Sequence, residues 1–136
     1  MRIAKARKSN SNMNTEDREA VRNWWLINRL KYNKGLIIAG FIAFTLYCIL
    51  GPIIIAPHEE FEVTLIVMVF QGTAYVLMIC IANVFYSMGW IIDLSFNKSN
   101  NQRFRQRLFA LGYWFSVSLP NLLILSVMAR FLIWGK

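Results

Sequence analysis

Charged residues are scarce in this chain, and histidine and cysteine are scarcer still. Only 16% of the 136 residues are Asp, Glu, Lys or Arg, against about 25% in an average soluble protein. Two cysteines and one histidine exclude a disulfide-dense secreted scaffold and leave few groups for enzymatic proton transfer. Hydrophobic residues make up 57% of the sequence, which excludes a disordered chain and indicates a membrane protein.

The few charges are unevenly spread, and three long stretches contain none. These stretches, residues 35–58, 63–92 and 108–129, each exceed the roughly 18 to 20 apolar residues that cross a hydrocarbon core of about 30 Å. Helices are the suitable element, because lipid cannot satisfy open backbone groups and the segments lack the alternation of barrel strands. We therefore predict an all-α integral membrane protein. Its spans are expected at about 35–57, 63–92 and 107–134.

The charges outside the spans predict the orientation of the chain. The first 34 residues have a net charge of +6, and the loop between the second and third spans carries +4. The loop between the first two spans contains Glu59, Glu60 and Glu62. Because basic segments stay in the cytoplasm, we expect a cytoplasmic N-terminus and an outer C-terminus in the bacterial cytoplasmic membrane. The first span is too long for a cleavable signal peptide and is expected to remain as an anchor.

The N-terminal arm, residues 1–34, combines a basic tail with an amphipathic segment. Asn14 can cap a helix over about residues 15–32, whose first turn is acidic. The apolar sector of this helix includes Trp24 and Trp25 and suits the headgroup region, which predicts an interfacial helix ahead of a transmembrane domain over 35–136. The alternative is that the helix continues into the first span and that both tryptophans belong to its aromatic belt.

Anionic phospholipid is the partner that the basic segments predict, because juxtamembrane Lys and Arg attract acidic headgroups. Nucleic acid is not expected, since the arm is tethered to a membrane. The residues assigned to the lipid interface are Arg18, Arg22, Trp24, Trp25, Arg29, Arg103, Arg105 and Arg107.

The second span carries the most informative polar pattern. Residues spaced by seven and four lie on one helix face and are polar except for one alanine. They are Thr64, Gln71, Tyr75, Ala82, Tyr86 and Asp93. Gln71 lies near mid-bilayer, where an unpaired amide is costly, so it should face another helix, a copy of itself or water. The stripe is therefore predicted to be a pore lining or an interhelix contact. With amides of the second and third spans, its residues are Thr64, Gln71, Tyr75, Tyr86, Asn83 and Asn121.

The third span shows a seam typical of left-handed helix packing, with spacings of four and three. The seam consists of Gly112, Ser116, Leu119, Leu123 and Ser126. Within it, Pro120 removes a backbone hydrogen bond, which predicts a kink. In the first span, Gly35, Ala39 and Ala43 form a stripe of small residues that allows helix backbones to approach closely.

The outer surface offers charges but no metal site. Arg130 can reach headgroups or the acidic loop, and the outer mouth of a pore would hold Glu59, Glu60, Glu62 and Arg130. The single histidine, His58, neighbours two of these glutamates, but adjacent loop residues lack the spread that metal coordination needs. No metal or other cofactor is expected.

Three helices have too little mutual contact area to bury all of these faces, so we expect a homo-oligomer or a membrane protein partner. The leading hypothesis is a pore, a channel or a membrane-perturbing assembly, with a toxin-like or defence role, in which Gln71 faces water. The alternative is a non-catalytic accessory or assembly subunit of a larger membrane complex. An enzyme is not expected, because the uncharged stretches hold no carboxylate and the chain has no phosphate loop or nucleophile motif.

Overall fold

A computed structural model describes residues 15–135, and these residues form three long helices and no strand. Helix α1 spans Thr15–Ile54, α2 spans Leu65–Phe96 and α3 spans Gln102–Trp134. Each helix is long and apolar enough to cross a membrane. The prediction of an all-helical chain with three candidate spans is confirmed. The basic tail and the predicted cap at Asn14 lie outside the described residues.

Helix α1 runs without a break from the arm into the first span. No glycine or proline occurs between residues 15 and 34, so nothing local stops the helix there. Its 40 residues correspond to about 60 Å at 1.5 Å per residue, roughly twice the thickness of the hydrocarbon core. The continuous helix, which we held as the alternative, is therefore the one observed, and its charged first half extends beyond the apolar span.

Short side chains and a glycine define the ends of the other two helices. Thr64 caps α2 by accepting a hydrogen bond from the backbone N–H of Val67. Asn101 caps α3 in the same way, with the backbone N–H of Arg103 at 2.9 Å. Gly135 ends α3 in the left-handed region, at φ 65°, where glycine avoids the strain of a Cβ.

The up-and-down course of the helices places both basic segments at one end. Asn100, in the loop after α2, donates to the carboxylate of Asp17 in α1 at 2.9 Å. At the opposite end, a Cβ added to Gly135 would lie 3.4 Å from Nδ1 of His58, so the C-terminal end of α3 adjoins the acidic loop. We call these the basic end, residues 15–34 with 93–107, and the acidic end, residues 51–64 with 129–135.

The core lies mainly toward the basic end. Trp25, Tyr32 and Tyr86 are buried there. The ring centroid of Tyr86 lies 5.1 Å from that of Trp25 and 4.7 Å from that of Tyr32. The cluster that they form consists of Val21, Trp25, Tyr32, Leu36, Ala82 and Tyr86. Helix α2 contributes least, because only Ala82, Tyr86 and Asp93 are buried on it.

Glycines of α1 let aromatic rings lie against its backbone. A Cβ added to Gly35 would overlap the ring of Tyr113, and one added to Gly40 would overlap the ring of Tyr75. Gly35, Ala39 and Ala43 are all buried, as their spacing predicts. By contrast, a Cβ on Gly112 would meet nothing within 4 Å, so the close helix contacts among the described residues belong to α1 rather than to the start of the α3 seam.

Candidate functional site

A buried ion pair closes the basic end of the bundle. Arg105 Nε donates to Asp93 Oδ2 at 2.6 Å, and the side chains are 4% and 0% exposed. The same carboxylate oxygen accepts from the Trp25 indole N–H at 2.9 Å, and Oδ1 accepts from the Asn97 amide at 2.8 Å. Asp93 of α2 therefore bonds directly to Trp25 of α1 and Arg105 of α3, as well as to the C-cap residue of its own helix.

Local helix geometry explains how the charges of this pair meet. Asp93 lies in the last turn of α2, where the C-cap residue Asn97 donates its backbone N–H to the Asp93 carbonyl at 3.0 Å. Arg105 lies in the first turn of α3, just after its N-cap residue Asn101. Because only residues 97–101 separate the two helices, the ends of α2 and α3 are held side by side.

The other two nitrogen atoms of the Arg105 guanidinium donate hydrogen bonds as well. Nη1 donates to the Gln102 side chain at 3.0 Å and Nη2 to the Asn100 side chain at 2.6 Å. Asn100 in turn donates to Asp17, and the guanidinium lies over the ring of Trp24, 5.8 Å from its centroid. A buried ion pair stabilises a fold only when its remaining donors and acceptors are paired. This network meets that condition within the chain itself.

Tyrosine hydroxyls link the helices in the next layer. Tyr86 donates to the carbonyl of Trp25. Tyr32 donates to the carbonyl of Ala82 at 3.1 Å, and its hydroxyl lies 2.7 Å from that of Ser116. In a membrane such bonds stabilise the fold, because a hydroxyl without a protein partner cannot hydrogen-bond to water there.

The predicted stripe of α2 lies mostly against α1. Tyr75 donates to the Leu36 carbonyl. Asn83 accepts from Arg29 at 3.2 Å and donates to Asn33 at 2.9 Å. With Tyr86, these residues form interhelix contacts inside one chain.

Three members of the predicted stripe make no side-chain hydrogen bond to another helix. Gln71 is half-buried, and its side-chain amide makes no hydrogen bond to any residue in the range 15–135. Asn121 donates to the Val117 carbonyl of its own helix at 3.2 Å, while its amide oxygen is buried without a partner there. Thr64 is exposed and serves as the cap of α2. The unused polar capacity of the stripe is therefore concentrated at Gln71 and Asn121.

The predicted seam of α3 is divided between two surfaces. Ser116 is buried against Tyr32, whereas Leu123 is 56% exposed. Leu119 and Ser126 are also exposed, and the Ser126 hydroxyl donates within α3. Pro120 is buried, and α3 continues through it. Within a single chain, only the part of the seam around Ser116 therefore packs closely against another helix.

Two residues assigned to the lipid interface lie inside the protein instead. Trp25 and Arg105 are each 4% exposed, because Asp93 binds both. Trp24 is half-buried. The remaining basic residues of that set are exposed, namely Arg18, Arg22, Arg29, Arg103 and Arg107. At the other end, the predicted outer-mouth residues Glu59, Glu60, Glu62 and Arg130 are exposed as well.

The site residues that the sequence predicts do not include Asp93, Asn97, Asn100 or Tyr32. A signal for Asp93 was present, since it continues the polar stripe of α2 at the same spacing. Its partners Trp25 and Arg105 lie in the two basic segments. The sequence pattern does not distinguish Arg105 from the neighbouring Arg103 and Arg107 as a partner for Asp93.

No known protein family matches this chain, and neither the curated proteins nor the solved structures contain a match to it. Within residues 15–135, no group of three His, Cys, Asp or Glu side chains lies close enough together to hold a metal ion.

Proposed function

We propose that the protein is a non-catalytic subunit of a membrane assembly and that it acts by packing the outward face of α2 against other transmembrane helices. The observation that carries this proposal is the division of α2 into two faces. Tyr75, Asn83 and Tyr86 bond to α1, whereas most of the remaining surface of α2 is exposed and includes, beside the bonded face, a row of small or slender residues. That outward stripe consists of Gly72, Val76, Cys80 and Val84.

The spacing of the outward stripe favours a helix partner over lipid alone. Its residues recur every four positions, which aligns them along one side of the helix. A Cβ on Gly72 would meet nothing within 4 Å, so this glycine serves no contact inside the chain. In bilayers, small residues at this spacing let two helix backbones approach closely, and van der Waals packing then drives association.

The charged groups of the basic end support a structural role. Asp93 and Arg105 form an ion pair, and each nitrogen and oxygen atom of their charged groups has a hydrogen-bond partner within the chain. A catalytic acid or base needs a proton that it can exchange with a substrate. Both oxygens of the Asp93 carboxylate accept hydrogen bonds from Trp25, Asn97 and Arg105, and the side chain is buried, so the carboxylate is not open to a substrate.

The proposed orientation has the basic end in the cytoplasm of a bacterial cell. Both basic segments lie at the same end of the bundle, since Asn100 bonds to Asp17. The positive-inside rule then assigns that end to the cytoplasm and the acidic loop to the outside. Exposed arginines at this level attract anionic phospholipids.

Cross-linking through the native Cys80 tests the proposal. Cys80 is exposed and Cys48 is half-buried, so Cys48→Ser leaves one reactive thiol on the outward stripe. Oxidation in native membranes should then join two copies through Cys80, and Gly72→Ile should abolish the cross-link by blocking close approach. The matched control places a thiol on another lipid-exposed helix face, as Phe41→Cys in a Cys-free chain, and should give no cross-link.

The size of the assembly decides between self-association and a larger complex. Mass measurement in nanodiscs formed directly from native membranes should show either several copies of this chain or this chain within a heavier complex. A monomer that gives no Cys80 cross-link, and in which Gly72→Ile changes nothing, would rule the proposal out.

A homo-oligomeric pore is the second candidate, and Gln71 is the observation that favours it. Its half-buried amide has no partner in residues 15–135, so in an oligomer it can face water or a copy of itself. A toxin-like or defence role belongs to this candidate. In planar bilayers, a pore predicts discrete currents whose ion preference changes with Gln71→Glu. A dry subunit predicts no current and poorer assembly of that variant.

A further inference from the structure

An open groove lies between α1 and α3 at the basic end. Its volume is about 600 Å³, within the range of about 300 to 1,000 Å³ that is usual for small-molecule sites. Aromatic rings of Trp24, Phe109 and Tyr113 line it. Phe109 and Tyr113 are stacked, with centroids 5.8 Å apart, and Trp24 meets Phe109 edge-on at 5.7 Å. The rings pack on one another, so the apolar floor is already formed.

The rim of the groove provides hydrogen-bond donors. Lys31 and Gln106 line it from α1 and α3, and neither is bonded to another residue in the range 15–135. Asn28 is fixed by a hydrogen bond from its amide to the Trp24 carbonyl at 2.9 Å. No carboxylate lines the groove. An occupant with an anionic group and an apolar part complements this lining.

The groove lies where the helices change from charged to apolar. Lys31 precedes the uncharged stretch of α1 by one helical turn, and Gln106 adjoins Arg107, the last basic residue before the uncharged part of α3. Trp114, at the apolar side of the groove, is 66% exposed. Tryptophan in this position is typical of the membrane interface. The rim is therefore at headgroup depth and Trp114 at the start of the acyl chains.

We propose that this groove binds one anionic glycerophospholipid from the surrounding membrane. Its phosphate accepts hydrogen bonds from Lys31 and Gln106, while an acyl chain passes Trp114 and the glycerol region lies on the aromatic floor. A soluble phosphate ester would use the rim alone and leave the rings exposed. The proposal holds for a subunit and for a pore alike, because the groove lies within one chain.

Fluorescence quenching by brominated lipids measures binding in this groove, since Trp24 and Trp114 line it. The detergent-solubilised full chain is titrated with dibromo-phosphatidylglycerol and, separately, with dibromo-phosphatidylcholine. We expect saturable quenching by phosphatidylglycerol. Lys31→Gln should weaken it about fivefold, which corresponds to the loss of one lysine at an anionic surface. The matched control Lys34→Gln removes another exposed lysine of α1, which does not line the groove, and should change binding less than twofold.

A second variant blocks the groove without removing charge. Ala110 lines the groove and is exposed, so Ala110→Trp fills its volume and should reduce phosphatidylglycerol binding more than tenfold. Native mass spectrometry should show one retained lipid on the parent chain and none on this variant.

Four results would each overturn the proposal. Equal affinity for phosphatidylcholine would remove the role of the anionic headgroup. Equal losses in Lys31→Gln and Lys34→Gln would indicate diffuse attraction to the whole basic surface. Unchanged lipid retention in Ala110→Trp would place the lipid elsewhere, and displacement of the lipid by glycerol phosphate alone would assign the rim to a soluble phosphate ester.

Discussion

The two ends of the bundle are held together by different kinds of contact. At the basic end, Asp93 binds Trp25 and Arg105 directly, so one carboxylate fixes the positions of three helices. At the acidic end, the ring of Phe61 lies against the backbone of Gly51 and packs on Tyr47 at 5.2 Å between centroids. The first kind of contact depends on direction and charge, whereas the second depends on shape.

This difference shows how a chain with few polar residues distributes them. Hydrogen-bonded networks specify one arrangement of helices, because a partly satisfied network is costly in a dry environment. Glycine contacts need no polar group and suit lipid, where helices gain little from hydrophobic burial. With its network at the basic end, the chain leaves much of the α2 surface apolar and exposed, and that surface is available to another helix.

Arg105→Leu should break the basic end and give the largest loss. It leaves Asp93 as a buried carboxylate without its cation, a change that costs about 3–5 kcal/mol in other proteins. The free energy of unfolding in detergent micelles measures it. Arg103→Leu removes an exposed arginine nearby and should change stability by less than about 0.5 kcal/mol.

The double variant separates loss of charge from loss of packing. Adding Asp93→Leu to Arg105→Leu removes the unpaired carboxylate, so stability should return to within about 2 kcal/mol of the parent, the remainder being the unpaired donors of Trp25 and Asn97. A single variant no less stable than Arg103→Leu would show that the ion pair does not hold this end.

Gly40→Ala tests the shape-dependent contacts and should have the second largest effect. The added methyl overlaps the ring of Tyr75, whose hydroxyl is fixed on the Leu36 carbonyl, and overpacking of this kind costs about 1–3 kcal/mol. Gly72→Ala is the matched control, because nothing lies near that position and alanine favours helix by about 1 kcal/mol. Equal effects of the two variants on thermal unfolding would contradict the close contact.

The spans could be predicted from the sequence because hydrophobicity and charge act locally. The second span was expected over 63–92 and α2 runs Leu65–Phe96. The third was expected over 107–134, and α3 begins earlier, at Gln102, because Asn101 caps it. Charge marks the edge of the apolar core, whereas capping marks the end of the helix, and the two differ wherever a helix extends into water.

The ion pair could not be predicted, because a periodic pattern gives the face of a residue on its own helix only. The rotation of the neighbouring helix decides which arginine meets Asp93. For the same reason Trp25 was assigned to lipid. An apolar face suits a headgroup layer and a helix interface equally, and only the continuity of α1 brings Trp25 against Asp93.

Tyr32→Phe tests the tyrosine layer and should cost less than either change above. It removes the hydroxyl that bonds to the Ala82 carbonyl and to Ser116, which is worth about 1 kcal/mol. Tyr47→Phe is the control, since no hydrogen bond of that hydroxyl is seen in the described chain, and its unfolding midpoint should not move. If both variants unfold alike, the hydroxyl of Tyr32 contributes nothing.

Gln71→Leu should have the smallest effect on one chain and the sharpest effect on an assembly. Because its amide bonds to nothing in residues 15–135, the free energy of monomer unfolding should change by less than about 0.5 kcal/mol. If the exposed half of α2 meets a second copy, self-association measured by energy transfer in micelles should weaken by about 1–2 kcal/mol, the value of an interhelical amide bond in synthetic peptides. Thr73→Val is the control, as its hydroxyl donates within α2 at 2.8 Å. A loss of monomer stability instead would mean that Gln71 packs inside the single-chain bundle. Polar contacts would then hold the helices together beyond the basic end as well.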